Sequence, residues 1–248
     1  MAQNRPLKKQ LLKSYIKATD WWEGEETVTV NNVSATFSTK RELSSIHRHI
    51  ETEHTFFTEF LDAVQDGDVV YDIGAKFGLF SCFAGKKSRA NTPVAFEPAL
   101  GPYLRIRKNY RLNKISGRAV NVALSDKYRN VPEWLARGDS QFRLVPGDEI
   151  IAEKGLPQPN IMKIDVEGAE KFALRGLSDT ISNDSCRSIF VEIHPKGCFA
   201  SEGDSTEDES LGLEVNEIAE VEQVLVDAGF EIEEIHQRGE QEFWRASR

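Results

Sequence analysis

The chain has 248 residues, with 31 Lys and Arg against 40 Asp and Glu, a formal charge of −9 at neutral pH. That balance argues against nucleic-acid binding, since a broad phosphate-binding face needs clustered basic side chains. No apolar run approaches the ~18 residues of a membrane span, and the basic start MAQNRPLKKQ lacks the apolar stretch of a secretory signal, so a cytoplasmic location is expected.

Residues 1–22 read as a basic amphipathic helix, with Leu7, Leu11, Leu12, Tyr15 and Ile16 spaced for one face. Residues 26–38 alternate and are interrupted by Asn31-Asn32, which predicts a β-hairpin. Over 51–65, Phe56, Phe57, Phe60, Leu61 and Val64 fall on one helical stripe. Residues 1–66 are thus an N-terminal helix, hairpin and covering helix, and residues 67–248 the unit they cover, the whole expected to form one compact body.

From residue 68 the rhythm becomes strand, helix, strand, helix. Strands are predicted at 69–73, 93–96, 119–124, 161–164, 188–193 and 230–235, with helices at 78–86, 103–112, 169–176 and 215–228. Short continuous apolar strands alternating with helices indicate an α/β fold, a mostly parallel Rossmann-like sheet with helices on both faces. Residues 240–244 are expected to return antiparallel at the sheet edge. The acidic run Glu202, Asp204, Glu207, Asp208 and Glu209 reads as a solvated loop, placed after a site-bearing strand where a lid would lie. Cys82, Cys186 and Cys198 are far apart with no CxxC pair, so neither a disulfide framework nor a structural zinc site is expected.

The sharpest local signal is Val69-Val70-Tyr71-Asp72-Ile73-Gly74-Ala75-Lys76-Phe77-Gly78, a buried strand running into a glycine-bearing turn and a helix. Gly74 lets backbone approach a ligand closely, and Gly78 lets the helix start pack on the strand. Glu97 follows at the end of the next strand, where a carboxylate can accept both hydroxyl protons of a ribose. The turn lacks one glycine of G-x-G-x-x-G, which disfavours a pyrophosphate and suits the zwitterionic tail of S-adenosylmethionine. Tyr110 and Lys114 have the Tyr-x-x-x-Lys spacing of a dehydrogenase pair but follow the second strand directly, and are read as helix surface.

Asp72-Ile-Gly-Ala-Lys-Phe-Gly-Leu-Phe resembles the opening motif of FkbM-type methyltransferases. Phe96-Glu97-Pro98, Ala123-Leu124-Ser125-Asp126, the Ile161–Glu170 segment containing Lys163-Ile-Asp165-Val-Glu167-Gly168, and Val191-Glu192-Ile-His194-Pro195 follow in the family's order. The resemblance implies a class I methyltransferase fold, S-adenosylmethionine as donor, and a hydroxyl acceptor on a small molecule or glycoside. It implies that Asp72, Gly74, Ala75 and Gly78 shape the methionine side of the pocket, that Glu97 holds the ribose, and that Asn121, Ala123 and their neighbours to Asp126 lie near adenine, with Asp165 also lining the pocket. Lys76 departs from the family's usual Asn, and is expected to point away or to hold the cofactor carboxylate.

Two successive strands deliver Asp165, Glu167, Glu192 and His194 to one rim, where an open α/β sheet places its ligand crevice. His194 titrates in the range of a general base, with Asp165 orienting it, binding the acceptor or itself the base. The same groups could hold a divalent metal; the metal-free version is preferred, and no metal ligand is assigned. If the rim is structural instead, Lys163 pairs with Glu167. Two other readings are an NAD-dependent oxidoreductase on a related fold and a non-catalytic nucleoside-binding protein.

Overall fold

The computed structural model describes residues 24–38, 43–89, 92–130, 143–194, 207–208, 213–214 and 218–248. The helix expected over 1–22 and all of the acidic run except residues 207–208 lie outside them. β1 (Glu25–Val30) and β2 (Val33–Ser38) form the expected hairpin. Asn31 and Asn32 take φ of 47° and 63°, the consecutive left-handed residues of a type I′ turn, which asparagine tolerates. The covering helix is two helices, α1 (Leu43–Thr52) and α2 (His54–Ala63), because Glu53 leaves the helical path at φ −118°, ψ 25°. Phe56, Phe57, Phe60 and Leu61 of α2 are buried as their stripe requires.

The chain continues through β3 (Val70–Ile73), α3 (Leu79–Lys87), β4 (Val94–Phe96), α4 (Leu100–Asn113) and β5 (Arg118–Val120). Next come β6 (Ala123–Ser125), β7 (Arg129–Asn130), β8 (Arg143–Pro146), α5 (Gly147–Lys154) and β9 (Ile161–Ile164). Then α6 (Glu170–Arg175), α7 (Ser178–Ser182) and β10 (Ser188–Ile193) lead to a short pair, β11 (Glu207–Asp208) and β12 (Leu213–Glu214). Finally α8 (Ile218–Asp227) precedes β13 (Glu231–Arg238) and β14 (Gln241–Ser247). The strand expected over 119–124 is divided at Asn121-Val122, and β6 pairs with β8 in a separate sheet of order β6-β8-β7.

The main sheet has the order β13-β14-β10-β9-β3-β4-β5. β5, β4, β3, β9 and β10 are parallel, and β14 is antiparallel to both its neighbours. This is the expected Rossmann-like, mostly parallel sheet. β14 does not lie at the edge, however: it sits between β10 and β13, and β13 is the edge. Composition explains the order, because Phe243, Trp244 and Ala246 of β14 are buried while β13 is largely polar. A bulge between Glu234 and His236 shifts the β13–β14 register and sets Ile235 against the core.

Alternation along the strands builds two cores. Tyr71, Ile73, Met162, Ile164, Ile189 and Val191 face one cluster, with helices α5 to α8 supplying Ile150, Leu174, Ile181 and Leu225. Val70, Ile161 and Phe190 face the other, under the hairpin and α1 to α4. Phe56 meets Phe80, Phe190 and Phe243 edge-on at 5.2–5.9 Å. Tyr110 belongs to this second core rather than to the helix surface, because Ile106, Asn109, Tyr110 and Asn113 form the buried stripe of α4. Lys114 is the left-handed residue that ends that helix. No helix among the described residues is long and apolar enough to cross a membrane.

After β3 the backbone must turn beneath β9. Gly74 has φ 77°, and a Cβ there would lie 1.8 Å from the carbonyl oxygen of Asp165. Gly155 is also left-handed, at φ 55°, but nothing lies within 4 Å of its missing Cβ. Gly74→Ala should therefore cost ~4 kcal/mol or more, while Gly155→Ala costs only the ~1 kcal/mol of left-handed strain. Urea midpoints of the two variants test this; equal losses would show that backbone strain alone, not the Asp165 contact, fixes the glycine.

Candidate active site

The site forms where β3, β4, β9 and β10 end. The β3–β9 register sets Asp72 opposite Lys163, and the Lys163 ammonium, 3% exposed as a residue, reaches forward to Asp165 Oδ2 at 3.0 Å. Phe80 lies beneath it, 4.9 Å from nitrogen to ring centroid. Burial opposes the charge on Lys163, but Asp165 and Asp72 outweigh it and raise its pKa. Asp165 responds in kind: burial works against its charge, and Lys163 followed by His194 holds it below the ordinary carboxylate range.

Glu97 closes the turn after β3. Its Oε2 accepts the Lys76 N–H and its Oε1 the Ala99 N–H, each at 2.8 Å. Gly74 and Ala75 both donate their N–H to the Phe96 carbonyl, locking the turn against β4. Burial pushes the Glu97 carboxyl up to about 7, against the pull of the two N–H donors. Asn121 supports this corner from below, donating through Nδ2 to the carbonyls of Glu97 and Pro98.

The rim holds a denser group. His194, 6% exposed, places Nδ1 3.1 Å from Glu170 Oε1 and Nε2 3.3 Å from Glu192 Oε1 and 3.6 Å from Glu167 Oε2. The fully buried Glu170 uses the same oxygen to accept the Gly168 N–H at 3.0 Å. Arg238, from β13, donates to Glu192 at 2.8 Å and to Glu53 at 3.0 Å, tying the sheet edge and the α1–α2 junction to the rim. Burial alone would lower the His194 pKa, yet Glu170 and then Glu192 push it up to about 10.

Most of the expected residues meet. Asp165, Glu167, Glu192 and His194 share the rim, and Glu97 stands at the Gly74–Lys76 turn. Others also have structural parts. Asp72 is 1% exposed, and its Oδ2 accepts the Ser81 N–H at 2.9 Å, pinning the first turn of α3. Gly78 is needed for its φ of 80° at the start of α3, and its missing Cβ faces Ser81 and Ile106 of α4 rather than the strand. Asn121 spends its amide N–H groups on backbone carbonyls, and Ala123 stands on β6 in the small sheet. Lys163 pairs with Asp165, not with Glu167. Lys76, at φ 53°, sends Nζ to within 3.4 Å of His49 Nε2 on α1. The base role expected of His194 needs a neutral ring, and its carboxylate neighbours raise the pH at which the ring gives up its second proton. Glu53 and Arg238 carry no local signal in the sequence; Glu170 closes the Ile161–Glu170 segment, but the sequence reading gives it no role.

Residues 72–232 match the model of the methyltransferase FkbM domain. Hexuronic acid methyltransferase AglP of Haloferax volcanii is 25% identical over 159 residues, an alignment covering 59% of this chain and 64% of that protein, so the chain spans less than two thirds of its length. The 31-O-demethyl-FK506 methyltransferase FkbM of Streptomyces tacrolimicus is 27% identical over 197 residues, covering 62% of this chain and 75% of that one. Among solved structures, methyltransferase FkbM from Methylobacillus flagellatus overlays 81% of this chain and 60% of its own at 14% identity, with a TM-score of 0.47. M. jannaschii TYW2, solved in complex with AdoMet, overlays 91% and 85% at 14% identity, with a TM-score of 0.48.

Removing the buried ammonium isolates this charge arrangement. Lys163→Met should cost about 3–5 kcal/mol at neutral pH, because Asp72 and Asp165 are left buried without their counter-ion. Without Lys163 both carboxyls titrate higher, so protonation relieves the repulsion and the gap to the unaltered protein narrows as pH falls toward ~5. Denaturant unfolding at several pH values measures it; a pH-independent gap would mean that lost packing against Phe80 dominates.

Proposed function

Since the chain belongs to the FkbM methyltransferase family, we propose that it transfers a methyl group from S-adenosylmethionine to a hydroxyl of a small molecule or glycoside. Glu97 carries the reading. It is a carboxylate at a parallel strand's carboxyl end, oriented by one backbone N–H on each oxygen, with lone pairs left for two ribose hydroxyls. The start of α3 favours this cofactor over a dinucleotide. There the buried Asp72 carboxylate occupies the Ser81 N–H, and its charge opposes a pyrophosphate at the helix N-terminus. An acidic rim suits a cationic sulfonium donor for the same electrostatic reason.

When bound, S-adenosylmethionine supplies an electrophilic methyl carbon. The chain's own work is to hold the acceptor in line and draw off its proton. Asp165, kept ionised by Lys163, accepts the hydrogen of the incoming hydroxyl. His194, carrying its proton between Glu170 and Glu192, keeps the rim carboxylates at fixed positions. The hexuronic acid and FK506 methyltransferases among the relatives support an oxygen acceptor on a sugar or similarly hydroxylated molecule.

Two outcomes are expected. Ribose hydroxyls require ionised Glu97, so donor affinity should fall by about tenfold per pH unit below the Glu97 value of about 7. Glu97→Gln should bind weakly at every pH, with no slope; calorimetry showing a pH-independent affinity in the unaltered chain would remove the ribose assignment. In assays with labelled donor and hydroxylated glycosides, Asp165→Asn should lower turnover ~100-fold or more while donor affinity stays within about threefold. Full turnover in the folded variant would take Asp165 out of the chemistry.

A further inference from the structure

Asp165, Glu167 and His194 do more than line a rim. Each offers one donor atom, and the three atoms lie within 4.8 Å of one another. The His194 Nε2 to Glu167 Oε2 separation of 3.6 Å lies between the adjacent spacing (about 3 Å) and the opposite spacing (about 4 Å) of two ligands bound at about 2.0–2.2 Å to one octahedral ion. The 4.8 Å span needs only a small movement, and the Glu167 side chain, 55% exposed, has the room to make it.

The imidazole supplies the observation that an acidic cluster alone would not. Its ring is buried and aimed into the cluster, while Nδ1 is fixed from behind by Glu170, a fully buried carboxylate outside the ligand set. A histidine that binds metal through one nitrogen and donates the other N–H to a carboxylate shows this arrangement, since the carboxylate fixes the tautomer and directs the lone pair at the ion. Glu170 is itself held by the backbone N–H of Gly168 and, at 3.3 Å, of Val166, so the anchor is rigid before any ligand arrives. Glu192, 3.3 Å from Nε2, adds a further negative charge beside the three donors.

We propose that Asp165, Glu167 and His194 bind one divalent cation, with Glu170 orienting the histidine. Two carboxylate oxygens and one imidazole nitrogen suit Mn²⁺ better than the all-oxygen ion Mg²⁺ or a thiophilic ion. The ion displaces the Nε2 proton to solvent. Three protein donors leave coordination positions for oxygens of the acceptor, and a cation there would lower the hydroxyl's pKa and ease passage of its proton to the Asp165 carboxylate. Cation binding stands on the geometry alone; its use in activating a hydroxyl rests on the methyl-transfer reading.

The probe is Mn²⁺ added to the chelator-treated full chain, followed by electron paramagnetic resonance and calorimetry. One ion per chain is expected. Glu167→Ala, an exposed change that leaves the fold intact, should weaken binding at least tenfold, and Glu170→Gln should weaken it ~10- to 100-fold through the histidine. No binding up to about 1 mM Mn²⁺, or affinity unchanged in both folded variants, overturns the site. Donor binding measured in chelator separates the two conclusions. A chain that binds S-adenosylmethionine but not Mn²⁺ refutes the cation site alone, whereas Mn²⁺ binding lost in Glu167→Ala supports the site whatever the donor does.

Discussion

Lys163, on β9 between β3 and β10, holds its Nζ 3.0 Å from Asp165 and above the Phe80 ring, with Asp72 opposite it in register. A charge taken out of water survives only with partners, so the buried ammonium and the carboxylates around it require each other. Glu97 and Glu192 also feel that charge. Asp165 can stay ionised at the mouth of the sheet because the counter-charge is built into the floor beneath it. The acidic rim is therefore a property of β9 as much as of the loops that follow.

That floor is covered from outside the family domain. Glu53 and Arg238 fall on either side of residues 72–232, yet they meet each other and Glu192 at one point. The aromatic contacts of α2 do the same on a larger scale, seating Phe56 against Phe190 and Phe243. The hairpin is attached through α4, where Asn109 and Asn113 accept the Ser38 and Thr36 N–H groups. Segments flanking the matched domain thus complete the electrostatics of its rim.

Much of this was legible before the fold was known. Apolar strands, a glycine turn and acids at strand ends are local patterns, and each strand of the parallel core was read within a few residues. Asp72 shows the limit. A motif gives spacing, but the alternation of β3 turns Asp72 toward α3, and only the register with Lys163 reveals its partner. Arg238 and Glu53 are 185 residues apart, so no window along the chain contains both. The pattern of residues 240–244 predicts an antiparallel return but does not say which strand of the hairpin docks; burial of Phe243 and Trp244 decides it. His194 was read from its ordinary titration range, whereas three-dimensional neighbours determine its charge.

The bulge in β13 has a consequence for how molecules of this protein meet one another. An edge strand exposes unsatisfied backbone groups that invite a strand from a neighbouring chain. Here the register shift at Glu234 and His236 kinks that edge, and Glu231, Glu233 and Glu234 crowd it with negative charge. The opposite edge, β5, is only three residues long. Neither border of this sheet offers a long, straight, uncharged template for a strand of a neighbouring molecule.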